Sequence, residues 1–130
     1  MSAGMGSSPS FTALLREVRG VAVLSVSGEL DLHCALRFEE ALKKAVANAE
    51  RAGGATHALV VDLSETGFMD SMGFGTLMGS TQEFREGGGE VRLVVLGGEV
   101  LWLLEVTGLD EALPIYPDAL AAVEGHRGGV

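Results

Sequence analysis

Apolar residues gather first in FTALLREV (11–18) and VAVLSVSG (21–28), with Arg19 and Gly20 between them. Two strand-length runs around a two-residue turn predict a β-hairpin. ELDLH (29–33) then leads away from the second strand. Over 35–51 the pattern changes period. Ala35, Phe38, Leu42, Ala45, Val46 and Ala49 recur at helical spacing, and Gly53-Gly54 supplies a stop. HALVVDLS (57–64) is a continuous apolar run, the mark of a strand covered on both faces, and SETG reads as its exit loop. Residues 71–86 read as a helix stopped by Gly87-Gly88-Gly89, and VRLVVLG (91–97) as another core strand. A helix over 99–106 ends at Thr107-Gly108. ALPIY (112–116) predicts a short edge strand because Pro114 cannot donate to a ladder. One or two helical turns follow over 118–124.

The predicted order is β-β-α-β-α-β-α-β-α, an α/β arrangement. Strands joined through helices imply a mixed, mostly parallel sheet with right-handed crossovers and helices packed against it. Binding sites in such sheets collect at the carboxyl ends of the strands. Asp31 and the stretch FMDS (68–71) both follow strands there, so the fold is expected to bring Asp31 close to Ser71.

The length of 130 residues fits one domain, taken as 11–124 between flexible ends at 1–10 and 125–130. A net charge of −9 argues against nucleic-acid and anionic-lipid partners, because both are repelled. The single cysteine, Cys34, has no partner for an internal disulfide, and no Cys/His cluster has zinc spacing. A reducing, cytoplasmic setting is expected. The N-terminus MSAGMGSSPS has neither a basic nor an apolar signal region. The apolar stretch 93–109 is broken by Gly97, Gly98, Glu99 and Glu105, which does not suit a membrane span.

FMDSMGFG (68–75) is the stretch with candidate chemistry. It places an acid and a hydroxyl side by side where a core strand hands over to a helix. Either side chain could cap that helix by accepting from a free N–H, a contribution of about 1 kcal/mol. If Asp70 caps, the Ser71 hydroxyl is spare. A helix start also favours negative charge. A phosphoryl group on Ser71, adding about −1.5 to −2 charges, would be tolerated by the fold while Asp70 felt it as repulsion.

Enzyme motifs fit the same stretch poorly. A nucleophile elbow requires G-x-S-x-G, and Met69 stands where the first glycine belongs. A dinucleotide fingerprint from Gly73 and Gly75 would need glycine at Met78. No Walker A sequence occurs. His33, His57 and His126 are scattered, and nothing marks a substrate pocket beside the paired acids Glu29 and Asp31.

FMDSMGFGTL resembles the phosphorylation-site motif of the bacterial anti-sigma-factor antagonists, the STAS-domain family. VSGELDLH resembles the family's G-E-L-D loop, VVDLSETGFMDS its central strand and loop, and VTGLDEALPIYPDALAAV its C-terminal part. The resemblance spans about 11–123, and two separated motifs in the right order make it specific. It implies a single STAS domain without catalysis or cofactor, working as a monomer or weak dimer. The implied partners are an anti-sigma factor that doubles as a serine kinase, and a phosphatase that resets the switch. Binding the anti-sigma factor would free a sigma factor, and modification of Ser71 by the kinase would end that binding. Asp31, Asp70 and Gly73 match the residues around the modified serine.

The expected partner surface comprises Gly28, Glu29, Leu30, Asp31, Asp70, Ser71, Met72 and Phe74, with Phe74 either an exposed anchor or ordinary core. Many relatives carry Ser or Thr where this chain has Met72, which places an adaptable thioether beside the site. Alternatives are a STAS scaffold of a stressosome-like or transport assembly and, on the bare serine, a hydrolase.

Overall fold

The computed structural model describes residues 11–52 and 57–125. The ends expected to be loose, 1–10 and 126–130, lie outside the described residues, as do His126 and the Gly53-Gly54 stop. Gly125 is described and closes the last helix at φ 77°.

Strand β1 (Thr12–Val18) pairs antiparallel with β2 (Val21–Leu30). Arg19 at φ 52° and Gly20 at φ 81° make the tight turn whose twist suits a hairpin. Strands β3 (Ala58–Met69), β4 (Glu90–Val94) and β5 (Ile115–Tyr116) follow in parallel, giving the order β1-β2-β3-β4-β5. A 3₁₀ turn (Leu32–Cys34) leads into α1 (Ala35–Ala52). The other helices are α2 (Ser71–Ser80), α3 (Gln82–Glu86), α4 (Gly98–Thr107), α5 (Leu109–Ala112) and α6 (Ala119–Glu124).

The mixed, mostly parallel sheet is as expected. Strand residues alternate between two cores. Leu24, Val26, Leu59, Val61 and Leu93 face α1, α2 and α4 through Phe38, Leu42, Leu77 and Leu104. Val23, Val60, Val94 and Tyr116 face α6 through Ala122 and Val123. Short α6 is held from the sheet: the Arg92 guanidinium donates to the Ala122 carbonyl at 2.9 Å and to that of Val123 at 3.3 Å. Both carbonyls lie in the last turn, and that of Ala122 also accepts from the Gly125 N–H at 3.2 Å.

Four boundaries differ from the sequence pattern. SETG is not an exit loop, because β3 continues through it to Met69. Between Ser25↔Asp62 and Ser27↔Glu65, β3 spends one more residue than β2, and it does so again between Gly28↔Thr66 and Glu29↔Phe68. Polar groups satisfy these bulges. The Thr66 hydroxyl donates to the Val26 carbonyl at 3.0 Å, and the Ser64 N–H donates to Asp62 Oδ1 at 2.9 Å. Gly28 takes φ 101°, which a side chain would strain. Likewise β2 runs on through Glu29 to Leu30.

The helix expected over 71–86 breaks at Thr81. There the Thr81 hydroxyl donates to the Leu77 carbonyl at 2.8 Å and Arg85 donates to that of Met78 at 2.9 Å. The last strand shrinks to Ile115–Tyr116 because Ala112 belongs to α5.

Candidate functional site

Strands β2 and β3 end in register, Leu30 opposite Met69. The link continues one step further: the Asp70 N–H donates to the Leu30 carbonyl at 3.1 Å. Asp31 and Asp70 are thus successive exits from one ladder. The sequence separates them widely, and the parallel pairing places their backbones side by side.

At the start of α2, Asp70 is the cap. Its Oδ1 accepts from the Gly73 N–H at 3.0 Å, and its carbonyl accepts from the Phe74 N–H at 3.0 Å. Ser71 is the first helical residue and is exposed. Its hydroxyl has no hydrogen-bond partner among the described residues. The cap is therefore filled by its neighbour, and among the described residues the exposed serine oxygen has no structural task.

Gly73 is required by space rather than by φ. A Cβ there would sit 2.7 Å from the Leu30 carbonyl oxygen and 2.8 Å from Met69 Cγ. The first turn of α2 thus lies against the end of β2, and a side chain would push it away.

The loop after β2 is organised in its own right. Asp31 caps the 3₁₀ turn, Oδ1 accepting from the His33 N–H at 2.9 Å. Buried Cys34 braces the loop, its thiol donating to the Glu29 carbonyl at 3.1 Å. That role had no sequence signal beyond the residue's closeness to ELD. No hydrogen bond joins the Asp31 and Ser71 side chains among the described residues. The two loops are joined through the main chain at Leu30 and Asp70.

Two expected surface residues are corrected. Phe74 is only 7% exposed and shares α2's inner face with Leu77, three residues on, so it is core and not an anchor. Leu30 is fully buried, and it contributes its carbonyl rather than its side chain. Glu29 and Met72 are exposed, and Gly28, Asp31 and Asp70 half-buried.

The exposed apolar side chains at this end are instead Leu32, Leu36, Phe68 and Met72. Leu36 had a signal: it is apolar but lies off the stripe of Phe38, Leu42, Ala45 and Ala49. Leu36 and Met72 open a groove of about 900 Å³ between α1 and α2–α3, with Ser71 on its rim. Its α2 wall is small, from Gly75, Gly79 and Ser80. Lys43, the one cation lining it among the described residues, is paired with Glu39 at 3.3 Å. Among the described residues no helix is long and apolar enough to cross a membrane.

A family model described as STAS domain matches residues 12–122. The anti-sigma-F factor antagonist RsfB of Mycobacterium tuberculosis is 32% identical over 127 residues, covering 96% of this chain and 97% of that protein. An anti-sigma F factor antagonist of Paenibacillus polymyxa is 30% identical over 105 residues, 81% of this chain and 86% of its own. The crystal structure of an anti-sigma factor antagonist from Mycobacterium paratuberculosis superposes with a TM-score of 0.77 at 33% identity, covering 89% of this chain and 93% of that one. These relatives are named for antagonism, a binding activity, and the expectation of a regulator rather than an enzyme agrees with them. Hairpin, bulged central strand, a serine beside a filled helix cap and sequence likeness over nearly the whole chain lead to one assignment: the chain belongs to the STAS-domain family of anti-sigma-factor antagonists.

Proposed function

We propose that this chain binds an anti-sigma factor, which is also a serine kinase, and so frees a sigma factor. Phosphorylation of Ser71 ends the binding and a phosphatase restores it. The observation that carries this reading is the free Ser71 hydroxyl, exposed at a helix start whose cap is filled by Asp70. A phosphoryl group there adds charge without breaking a bond that holds the fold. The start of α2 accommodates the charge, while Asp70 next door and the Glu39-bound Lys43 leave it without a free cation in the groove. Burying such a charge unpaired in a partner interface costs several kcal/mol. Each 1.4 kcal/mol is about tenfold in affinity, so release needs no refolding.

The contact surface in this reading is Glu29, Asp31, Asp70 and Ser71 with apolar flanks from Leu32, Leu36 and Met72. Asp31 acts on the incoming kinase or its metal-bound nucleotide rather than on the serine directly, since no hydrogen bond joins the two side chains among the described residues. The protein works in the cytoplasm as a monomer or weak dimer and uses no cofactor.

Incubation with candidate anti-sigma kinases and ATP, read by mass spectrometry, should place one phosphate on Ser71. Phosphate on Ser64 or Ser80 would refute the assignment. Calorimetry against the same partner should give Ser71→Ala wild-type affinity and Ser71→Asp at least about tenfold weaker binding, with both variants unchanged by circular dichroism. Asp31→Asn should slow phosphorylation at an unaltered melting temperature.

A further inference from the structure

Among the described residues nothing covers the outer face of helix α4. Val100 and Leu104 point into the core. At about 100° per residue, the opposite direction holds Trp102, with Val106 one turn on and Glu99 and Glu105 at the flanks. Trp102 and Val106 are each 61% exposed. None of these residues lines the groove at Ser71.

We infer that this face of α4 is a second docking surface, built to take a basic amphipathic helix of another protein. Charge supports that occupant. From Glu99 to Glu124 the chain contains no Lys, Arg or His, while acids recur, including Asp110 and Glu111 in the adjoining α5. An apolar pair set among carboxylates suits a helix with an apolar stripe flanked by Lys or Arg. A guanidinium can also lie over the indole face. A second copy is a poor occupant, because a two-fold pairing would set Glu99 and Glu105 against their own counterparts. Anionic lipid is repelled by the same carboxylates. The surface is separate from the serine, so a partner held here stays bound while Ser71 is modified and restored. The inference does not depend on the proposed anti-sigma partner.

Trp102 is the only tryptophan in the chain, so its emission reports the face directly. The test titrates the full chain with a synthetic helix of about four turns, leucines on one face and Lys/Arg on its flanks. Fluorescence and calorimetry are the readouts. Saturable binding with a blue shift is expected. Trp102→Ser or Val106→Ser should weaken it about tenfold. Glu99→Gln with Glu105→Gln should weaken it and flatten its salt dependence. The same neutralisation on α1, Glu40→Gln with Glu50→Gln, and Ser71→Asp should both leave it unchanged. Absence of binding overturns the inference. So does equal binding of a peptide with Glu in place of Lys/Arg, or of one with Ser in place of Leu, or full affinity in Trp102→Ser. Trp102-dependent self-association in sedimentation without peptide would give the face to a second copy and also overturn it.

Discussion

Helices α2 and α6 begin with the same device. Each is preceded by an aspartate in extended backbone whose carboxylate accepts from the third helical N–H: Asp70 from Gly73 at 3.0 Å, Asp118 from Ala121 at 2.8 Å. Each has an exposed apolar second residue, Met72 or Leu120. The starts differ at the first and third positions. In α6 these are Ala119 and Ala121, and nothing is left over. In α2 they are Ser71, with a free hydroxyl, and Gly73, pressed onto the end of β2. A cap alone therefore says nothing about function. A redundant hydroxyl beside a filled cap, on a turn fixed by close backbone contact, is what distinguishes the two.

The sharpest way to break the comparison is at the third position. Gly73→Ala must displace the Leu30 carbonyl or the helix, and about 1–3 kcal/mol of stability should be lost. Denaturant titration checks this. The reciprocal Ala121→Gly should cost about 1 kcal/mol or less, and equal losses would remove the distinction. Next comes the far end, where α2 is held by Arg85 of the following helix and α6 by Arg92 of the sheet. Arg92→Ala removes charged donors from two helix-end carbonyls and should cost about 1.5–3 kcal/mol. Hydrogen exchange should show the amides of α6 released ahead of those of α2.

Removing the shared feature should act alike on both helices. Asp70→Ala and Asp118→Ala should each cost about 1 kcal/mol by thermal unfolding. Only the first should alter phosphorylation of Ser71. The smallest stability effect belongs to Ser71→Ala, within about 0.5 kcal/mol of wild type, while phosphate incorporation disappears. A loss of about 1 kcal/mol would mean that the serine shares the capping after all.

Element order and type were legible from the sequence because each apolar run kept one period over its length. The aspartate and serine at the start of α2 were legible too, since capping chemistry is local. The extent of β3 was not. SETG is polar and turn-like, and only its pairing with β2, with Thr66 and Asp62 satisfying the bulges, keeps it in the sheet. Phe74 was ambiguous because one aromatic cannot define a helical face until its neighbours are packed. The break at Thr81 depends on Arg85 reaching back to the Met78 carbonyl, which no window of apolar spacing registers. Leu36 stands off the helical stripe in sequence, and it gains significance when α1 and α2 bring it beside Met72 in one groove.

The bond from the Asp70 N–H to the Leu30 carbonyl uses main-chain atoms alone. It makes no demand on the identity of residue 32, 33 or 72. Side chains around the serine can therefore be exchanged while the serine keeps its position and aspect. On the proposed function, changes at these few positions alter which partner is bound and leave the placement of the serine intact.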